Sequence, residues 1–225
     1  MKGPRTVPAW DDYYMGAAFI AASRSKDPDT QIGAIVVDKF HRPWGQGCNG
    51  APRVVPDHEI DWTRPFKYPW VVHAEINALR HCRVSGLDDL QGCTIYVSGC
   101  PCLPCVREIV SRGLDRIVYG PHAWASFNEK EWLIVQDMCR LAGVKLERYA
   151  GDMTWLADKV GWMVENFPQA FPNLGLSALN TGKEDQLCRV ATTPRRGKLR
   201  ALMNSVRLWC SDLCRGMSFV KKNQS

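Results

Sequence analysis

Residues 93–119 read CTIYVSGCPCLPCVREIVSRGLDRIVY. Cys93 to Ser98 is a β-type run, Leu103 to Arg112 reads as a helix, and Arg116 to Tyr119 as another strand. The alternation continues downstream, with a helix over Glu129 to Leu141, a strand over Val144 to Tyr149 and a helix over Met153 to Phe167. Strands alternating with helices predict an α/β sandwich whose later strands run parallel. Upstream, Trp10 to Lys26 reads as a helix, with Asp11 and Asp12 in its first turn and Tyr13, Ala17, Ile20 and Ala21 at helical spacing. Gln31 to Asp38 and a short run approaching Gly47 predict a hairpin turning over Lys39 to Pro43. Ala51 to Trp70 holds four prolines and reads as a long binding loop. His73 to Cys82 reads as a further helix.

The chain has 225 residues, 45% hydrophobic and 23% charged, which suits one sizeable core with an appendage. The composition changes after Phe171, so residues 1–171 read as one domain and 172–225 as a basic extension. Pro172 to Thr193 is linker-like, and Lys198 to Leu213 reads as a basic amphipathic helix. From Lys183 onward ten basic residues face three acidic ones, leaving residues 1–182 with a charge of −1 out of the total +6. A near-neutral body argues against a nucleic-acid-binding domain. No run is long enough for a membrane helix, and Met15 to Ser23 follows two aspartates where a signal peptide carries positive charge. Ten cysteines without an even framework read as reduced thiols of a cytoplasmic protein.

The chemistry-bearing feature is His73-Ala74-Glu75 followed by Pro101-Cys102-Leu103-Pro104-Cys105. Imidazole and thiolate suit Zn²⁺, and a catalytic zinc takes three protein ligands. The Cys-x-x-Cys pair sits at a helix start, where backbone N–H groups favour thiolate. Glu75, two residues beyond His73, is placed to serve as a proton carrier without being a ligand. A redox dithiol, or a four-ligand structural zinc that recruits Cys100, is the alternative reading of the same residues. The joint pattern His-x-Glu then Pro-Cys-x-x-Cys is the signature of zinc nucleobase deaminases.

Over about residues 10–166 the sequence resembles the deoxycytidylate (dCMP) deaminases of the cytidine deaminase superfamily. The resemblance lies in Trp10-Asp11-Asp12-Tyr13-Tyr14-Met15, in Arg24-Ser25-Lys26-Asp27-Pro28 through Ala34, and in Gly45 to Pro52. Lys67-Tyr68-Pro69 and His73 to Leu79 complete it. The resemblance implies a three-layer α/β/α sandwich around a mixed five-stranded sheet, and hydrolytic deamination of dCMP to dUMP and ammonia. It implies Zn²⁺ held by His73, Cys102 and Cys105, with Glu75 moving protons. Asn49 would contact the sugar, Ala74 would offer its backbone to the base, and Ser98 would lie on the strand facing the pocket. Arg24 and Lys26, with Arg53 as a further candidate, would meet the phosphate; the alternative for Asn49 is a turn residue, and for the cations a solvated surface. Family members imply a homo-oligomer, a hexamer, with dCTP and dTTP as allosteric ligands. Some carry a second, structural zinc, for which Cys48, His58 and Cys82 are candidates. Other cytosine substrates (dCTP, 5-substituted dCMP, cytidine, single-stranded polynucleotide) and a non-catalytic nucleotide-sensing regulator are the competing readings.

Overall fold

In the computed structural model, residues 4–82, 90–122, 128–167 and 170 are described. The chain divides into two units, Met1–Gly151 and Asp152–Ser225. The first runs α1 (Trp10–Ala22), β1 (Gly33–Val37), β2 (Pro43–Cys48), a 3₁₀ turn (Asp57–Glu59), α2 (Ala74–His81), β3 (Thr94–Gly99), α3 (Leu103–Ser111), β4 (Arg116–His122), α4 (Glu129–Ala142) and β5 (Lys145–Arg148). The strands form one sheet in the order β2-β1-β3-β4-β5. β1 is antiparallel to both β2 and β3, whereas β3, β4 and β5 run parallel. The mixed five-stranded sheet and the parallel later strands match the expectation, because α3 and α4 supply the crossovers that parallel strands require.

All five residues of β1 are buried, since both faces of the sheet are covered. One face carries Ala34, Val36, Ile95, Val97 and Ile117, which pack with Ala74, Ala78 and Leu79 of α2, Val106 and Ile109 of α3, and Val135 and Cys139 of α4. α1 covers the other face. A Cβ on Gly33 would lie 2.0 Å from the Ala18 carbonyl oxygen and 2.4 Å from the Ala22 nitrogen, so only glycine admits α1 this closely.

Of the residues at helical spacing, that close approach keeps Ala21 inside and leaves Tyr13 and Ile20 out. The helix buries Tyr14, Met15, Gly16, Ala18, Ala21 and Ala22, while Tyr13 and Ile20 are exposed. In so apolar a helix several stripes satisfy the 3.6-residue period, and the small side chains win because they fit against β1. The helix also ends at Ala22, short of Lys26. The N–H groups of Ser23, Arg24 and Ser25 turn back to Ile20, Ala21 and Ala22 in tight i→i−3 bonds. Its two aspartates do more than favour a helix start: Asp11 pairs with the Arg116 guanidinium at 2.7 Å and accepts the Tyr96 hydroxyl at 2.6 Å, and Asp12 accepts the Tyr149 hydroxyl at 2.7 Å. They pin α1 across β3, β4 and the residue after β5.

The β1–β2 hairpin is organised by Asp38. Its carboxylate accepts the N–H groups of Phe40 and Arg42, the Arg42 Nε at 2.7 Å and the Trp44 Nε1 at 3.1 Å. Burial pushes this carboxyl upward, but the donors from Arg42, Trp44 and Phe40 outweigh it and hold it down at about 2, against an ordinary 3.8. A depressed folded-state value contributes stability that is complete above the ordinary value and is lost as pH falls through about 2. Asp38→Asn is therefore expected to lower the denaturation midpoint at neutral pH and to flatten its decline below about pH 4. An unchanged midpoint-versus-pH curve would remove Asp38 from the acid response.

In the second unit, α5 (Thr154–Asn166) starts where Asp152 accepts the Thr154 N–H and hydroxyl, each at 2.8 Å. Lys159 lies 3.6 Å over the Trp162 ring. The expected boundary at 171/172 falls at the edge of the described residues, and the extension with its amphipathic segment Lys198–Leu213 lies outside them. Among the described residues no helix is long and apolar enough to cross a membrane.

Candidate active site

Two helix starts meet beyond the C-terminal end of β3. His73 occupies the N-cap position of α2 and Cys102 that of α3, both with extended backbone (ψ 155° and 163°). Neither side chain caps its own helix. The helices begin through the backbone, with the His73 and Cys102 carbonyls accepting the Asn77 and Val106 N–H groups. The side chains are thereby released toward each other. Pro104 stands in the first turn of α3, where a missing N–H costs nothing, and Cys105 follows one residue on. The Cys102 and Cys105 sulfurs lie 3.3 and 3.4 Å from His73 Nδ1. The three ligand atoms lie within 4.8 Å of one another, and they are the only such group among the described residues.

Glu75, in the first turn of α2, is 1% exposed, and neither carboxylate oxygen has a hydrogen-bond partner among the described residues. An ionisable group buried without partners is costly, and native structures keep one only where something polar belongs. Burial pushes its carboxyl up to about 7, against the pull of His73. The two thiols behave as a pair. The hydrogen bond from Cys105 outweighs burial and, with His73, draws Cys102 down to about 4, while Cys105 is pushed up by the same hydrogen bond and by burial. His73 is raised by its bond to Cys102. One nitrogen and two sulfurs, one already disposed to be thiolate, form the donor set that a borderline-soft divalent metal prefers, and the orphaned carboxylate adjoins it. The residues fit a metal ion.

Cys100 is buried but its sulfur is not part of the group, so no fourth ligand joins the three among the described residues. Cys48, His58 and Cys82 form no second cluster there, and no disulfide links the described cysteines. Asn49 is buried at the end of β2. Its Oδ1 accepts the Ile32 N–H at 2.8 Å and its Nδ2 donates to the Thr30 carbonyl at 2.9 Å, which leaves one lone pair and one N–H uncommitted by these bonds. Ser98 is also buried, and its hydroxyl accepts the Gly33 N–H at 3.0 Å, on the α1 side of the sheet with Tyr96. Ala74 is fully buried at the start of α2. Lys26 is ion-paired with Asp57, and Arg24 and Arg53 are exposed. The structure thus brings His73, Glu75, Cys102 and Cys105 together and commits Asn49 and Ser98 partly to the scaffold.

α2 reaches this position because β2 lets it. A Cβ on Gly47 would lie 2.4 Å from the Ala78 nitrogen and 2.6 Å from the Ala74 carbonyl oxygen. Gly47→Ala is expected to push the start of α2 outward and cost about 1–3 kcal/mol, as overpacking does. Thermal denaturation reads the loss; an unchanged Tm would mean that the helix and strand give way freely. The same helix is tied to β2 by Asn77, whose Nδ2 donates to the Cys48 carbonyl at 2.9 Å.

Lys67, which the sequence marks only as part of the resemblance, has a partner that the sequence does not show: it is 2% exposed and ion-paired with Asp27. No hydropathy signal marks it, since its neighbours Phe66 and Tyr68 are the exposed ones.

The family model for the cytidine and deoxycytidylate deaminase zinc-binding region matches residues 8–121. A deoxycytidylate deaminase of Pongo abelii is 36% identical over 116 residues, covering 49% of this chain and 64% of that protein. That of Mus musculus is 32% identical over 146 residues, covering 62% of this chain and 79% of that protein. A probable deoxycytidylate deaminase of Drosophila melanogaster is 30% identical over 184 residues, covering 76% and 86%. The matched region of the first spans just under two thirds of its length, whereas the last two are matched over most of theirs. The matched residues 8–121 contain all three ligands, Glu75 and the strands that place them, and on that ground the chain belongs to the cytidine and deoxycytidylate deaminase zinc-binding family.

Proposed function

We propose that the protein is a zinc-dependent hydrolase that deaminates dCMP to dUMP and ammonia. The observation that carries the reading is the buried, unpartnered Glu75 carboxylate beside the His73–Cys102–Cys105 donor set. A redox dithiol has no use for such a carboxylate, and neither does a sensor. The relatives named as deoxycytidylate deaminases support dCMP over other cytosine substrates.

His73, Cys102 and Cys105 would hold the zinc. When bound, zinc supplies Lewis acidity that lets water act as a nucleophile near neutral pH. Glu75 accepts a proton from the attacking water as its oxygen bonds to C4 of the cytosine ring, and delivers a proton to ring N3. It then moves the second proton to the exocyclic amine, the C4–N4 bond breaks, ammonia leaves and the C4 carbonyl of dUMP remains. A carboxyl brought near the working pH by burial suits both halves of that exchange. In this reading the uncommitted N–H and lone pair of Asn49 would meet the sugar, the backbone of Ala74 the base, and Arg24 the phosphate, joined by Lys26 once it leaves its ion pair with Asp57. A homo-oligomer, a hexamer, answering to dCTP and dTTP belongs to the same proposal and follows from the family resemblance, and a cytoplasmic location follows from the cysteine usage.

The test is a substrate panel read by ammonia release. dCMP is expected to be turned over with the highest kcat/KM, ahead of cytidine, dCTP and single-stranded DNA. Turnover of cytidine but not of dCMP would overturn the assignment.

A further inference from the structure

The loop of residues 51–72 runs from β2 to the metal-ligating His73, holds four prolines and has the short 3₁₀ turn Asp57–Glu59 as its one helical element. Something must fix its path, because any slack in it is passed directly to a ligand. A buried ion pair does so. Lys67 carries its charge into the interior, 2% exposed, with Nζ 2.6 Å from Asp27 Oδ1 and 2.9 Å from Asp29 Oδ2. Asp27 is itself 3% exposed. A lysine is almost never fully buried unless it is paired, so this one is held by its carboxylates. Burial pulls the ammonium toward neutrality, but Asp27 and Asp29 outweigh it.

The gripped segment is the turn that leads into β1. Asp27 Oδ1 also accepts the N–H groups of Asp29 and Thr30, and Arg64 of the loop donates to the Thr30 hydroxyl at 2.6 Å. From that turn the connection passes to Asn49, whose amide bonds Thr30 and Ile32. Gly50 then exchanges both backbone hydrogen bonds with Val72, at 3.1 and 2.8 Å, and Val72 precedes His73. Three stretches distant in sequence, 27–32, 49–50 and 64–72, close into one ring. Within the ring, the Lys67–Asp27 pair is the buried charged contact. It touches neither the ligand atoms nor Glu75.

We propose that Lys67 is a positioning residue: its ion pair with Asp27 closes this ring and so holds Asn49 and the Val72–His73 junction in the register that the site requires. The kinetic part of the inference rests on the proposed deamination, while the structural part does not.

Lys67→Met alone would strand a buried carboxylate, so the informative variant is Asp27→Asn with Lys67→Met. The side-chain amide introduced by Asp27→Asn keeps an acceptor for the Asp29 and Thr30 N–H groups, and both buried charges are gone. Amide hydrogen exchange and steady-state kinetics with dCMP are measured on this variant beside the wild type. Core amides of Val36, Ile95 and Ile117 are expected to stay protected, whereas those of Gly50 and Val72 exchange at least about tenfold faster, as local opening without global unfolding requires. KM for dCMP is expected to rise roughly tenfold or more with a smaller change in kcat, the mark of lost uniform binding. Unchanged protection at Gly50 and Val72, or an unchanged KM in an active folded variant, would overturn the proposal. If the double variant does not fold, Asp27→Asn alone is read by the same two amides, with the same result overturning it. A wild type that releases no ammonia from dCMP defeats the proposed function, and the exchange measurement then decides the role of Lys67 without it.

Discussion

Glu75→Gln is expected to lower kcat for dCMP by about 10²–10⁴-fold or more, the range of general acid–base catalysis, because one carboxyl serves more than one proton transfer. KM and bound zinc should stay near their wild-type values. The amide occupies the same volume and Glu75 is not one of the three clustered donors. Stability should not suffer either. The wild-type carboxylate is 1% exposed with both oxygens unpartnered, and a neutral amide costs less to bury than a charge. A Tm at or above the wild-type value, together with collapsed turnover, is the signature of a group kept for chemistry against the interest of stability. Near-normal kcat in that variant would place the proton transfer elsewhere. A fall in Tm of several degrees would show that Glu75 holds the helix start together instead.

The sequence makes this residue legible, and the reason is chemical. Metal ligation admits few residue types, and the spacing of His-x-Glu and Cys-x-x-Cys on helix starts leaves little freedom in how they meet. The central strands were legible for a similar reason: β3 and β4 hold the apolar runs Ile95–Val97 and Ile117–Tyr119, whereas β5, Lys145-Leu146-Glu147-Arg148, is mostly charged and is marked by its place between two helices. Where many solutions satisfy one rule, the reading fails. α1 offers several apolar stripes; Ala21 lies on the one read from the sequence, but the burial of Ala18 and Ala22 in place of Tyr13 and Ile20 depends on Gly33, a strand residue on the other side of the contact. Lys67 inverts the ordinary expectation, since a lysine between Phe66 and Tyr68 goes inside while both aromatics stay out. Asp27 and Asp29, distant in sequence, explain it. Asn49 reads equally well as a turn residue or a substrate contact, and the structure commits one N–H and one lone pair of its amide to Thr30 and Ile32. Pairing partners far apart in sequence carry that information, and a single chain's local pattern does not contain them.

Removing a ligand tests the other half of the site, and the contrast with a neighbour makes the result specific. Cys102→Ala is expected to abolish stoichiometric zinc and, with it, activity. Two remaining donors, His73 and Cys105, leave the set one short of the three that a catalytic zinc uses. The loss should extend beyond activity. Cys102 Sγ and Cys105 Sγ are the groups that face His73 Nδ1, so a metal held by the three would tie the start of α2 to the start of α3. Ligand binding to the native state adds RT ln(1 + [L]/Kd) to its stability, so the wild type is expected to lose Tm on treatment with a strong chelator while the variant shows almost no further loss. Cys100→Ser is the control. It lies two residues from Cys102, is equally a cysteine and is buried, but its sulfur stands outside the three-donor group. That variant should keep one zinc per chain and most of its activity, losing only the stability that a buried hydroxyl costs. Metal analysis of the two proteins separates the possibilities. Loss of zinc in both would make Cys100 a fourth ligand and the centre structural. Retention of zinc and activity in Cys102→Ala would remove Cys102 from the site altogether.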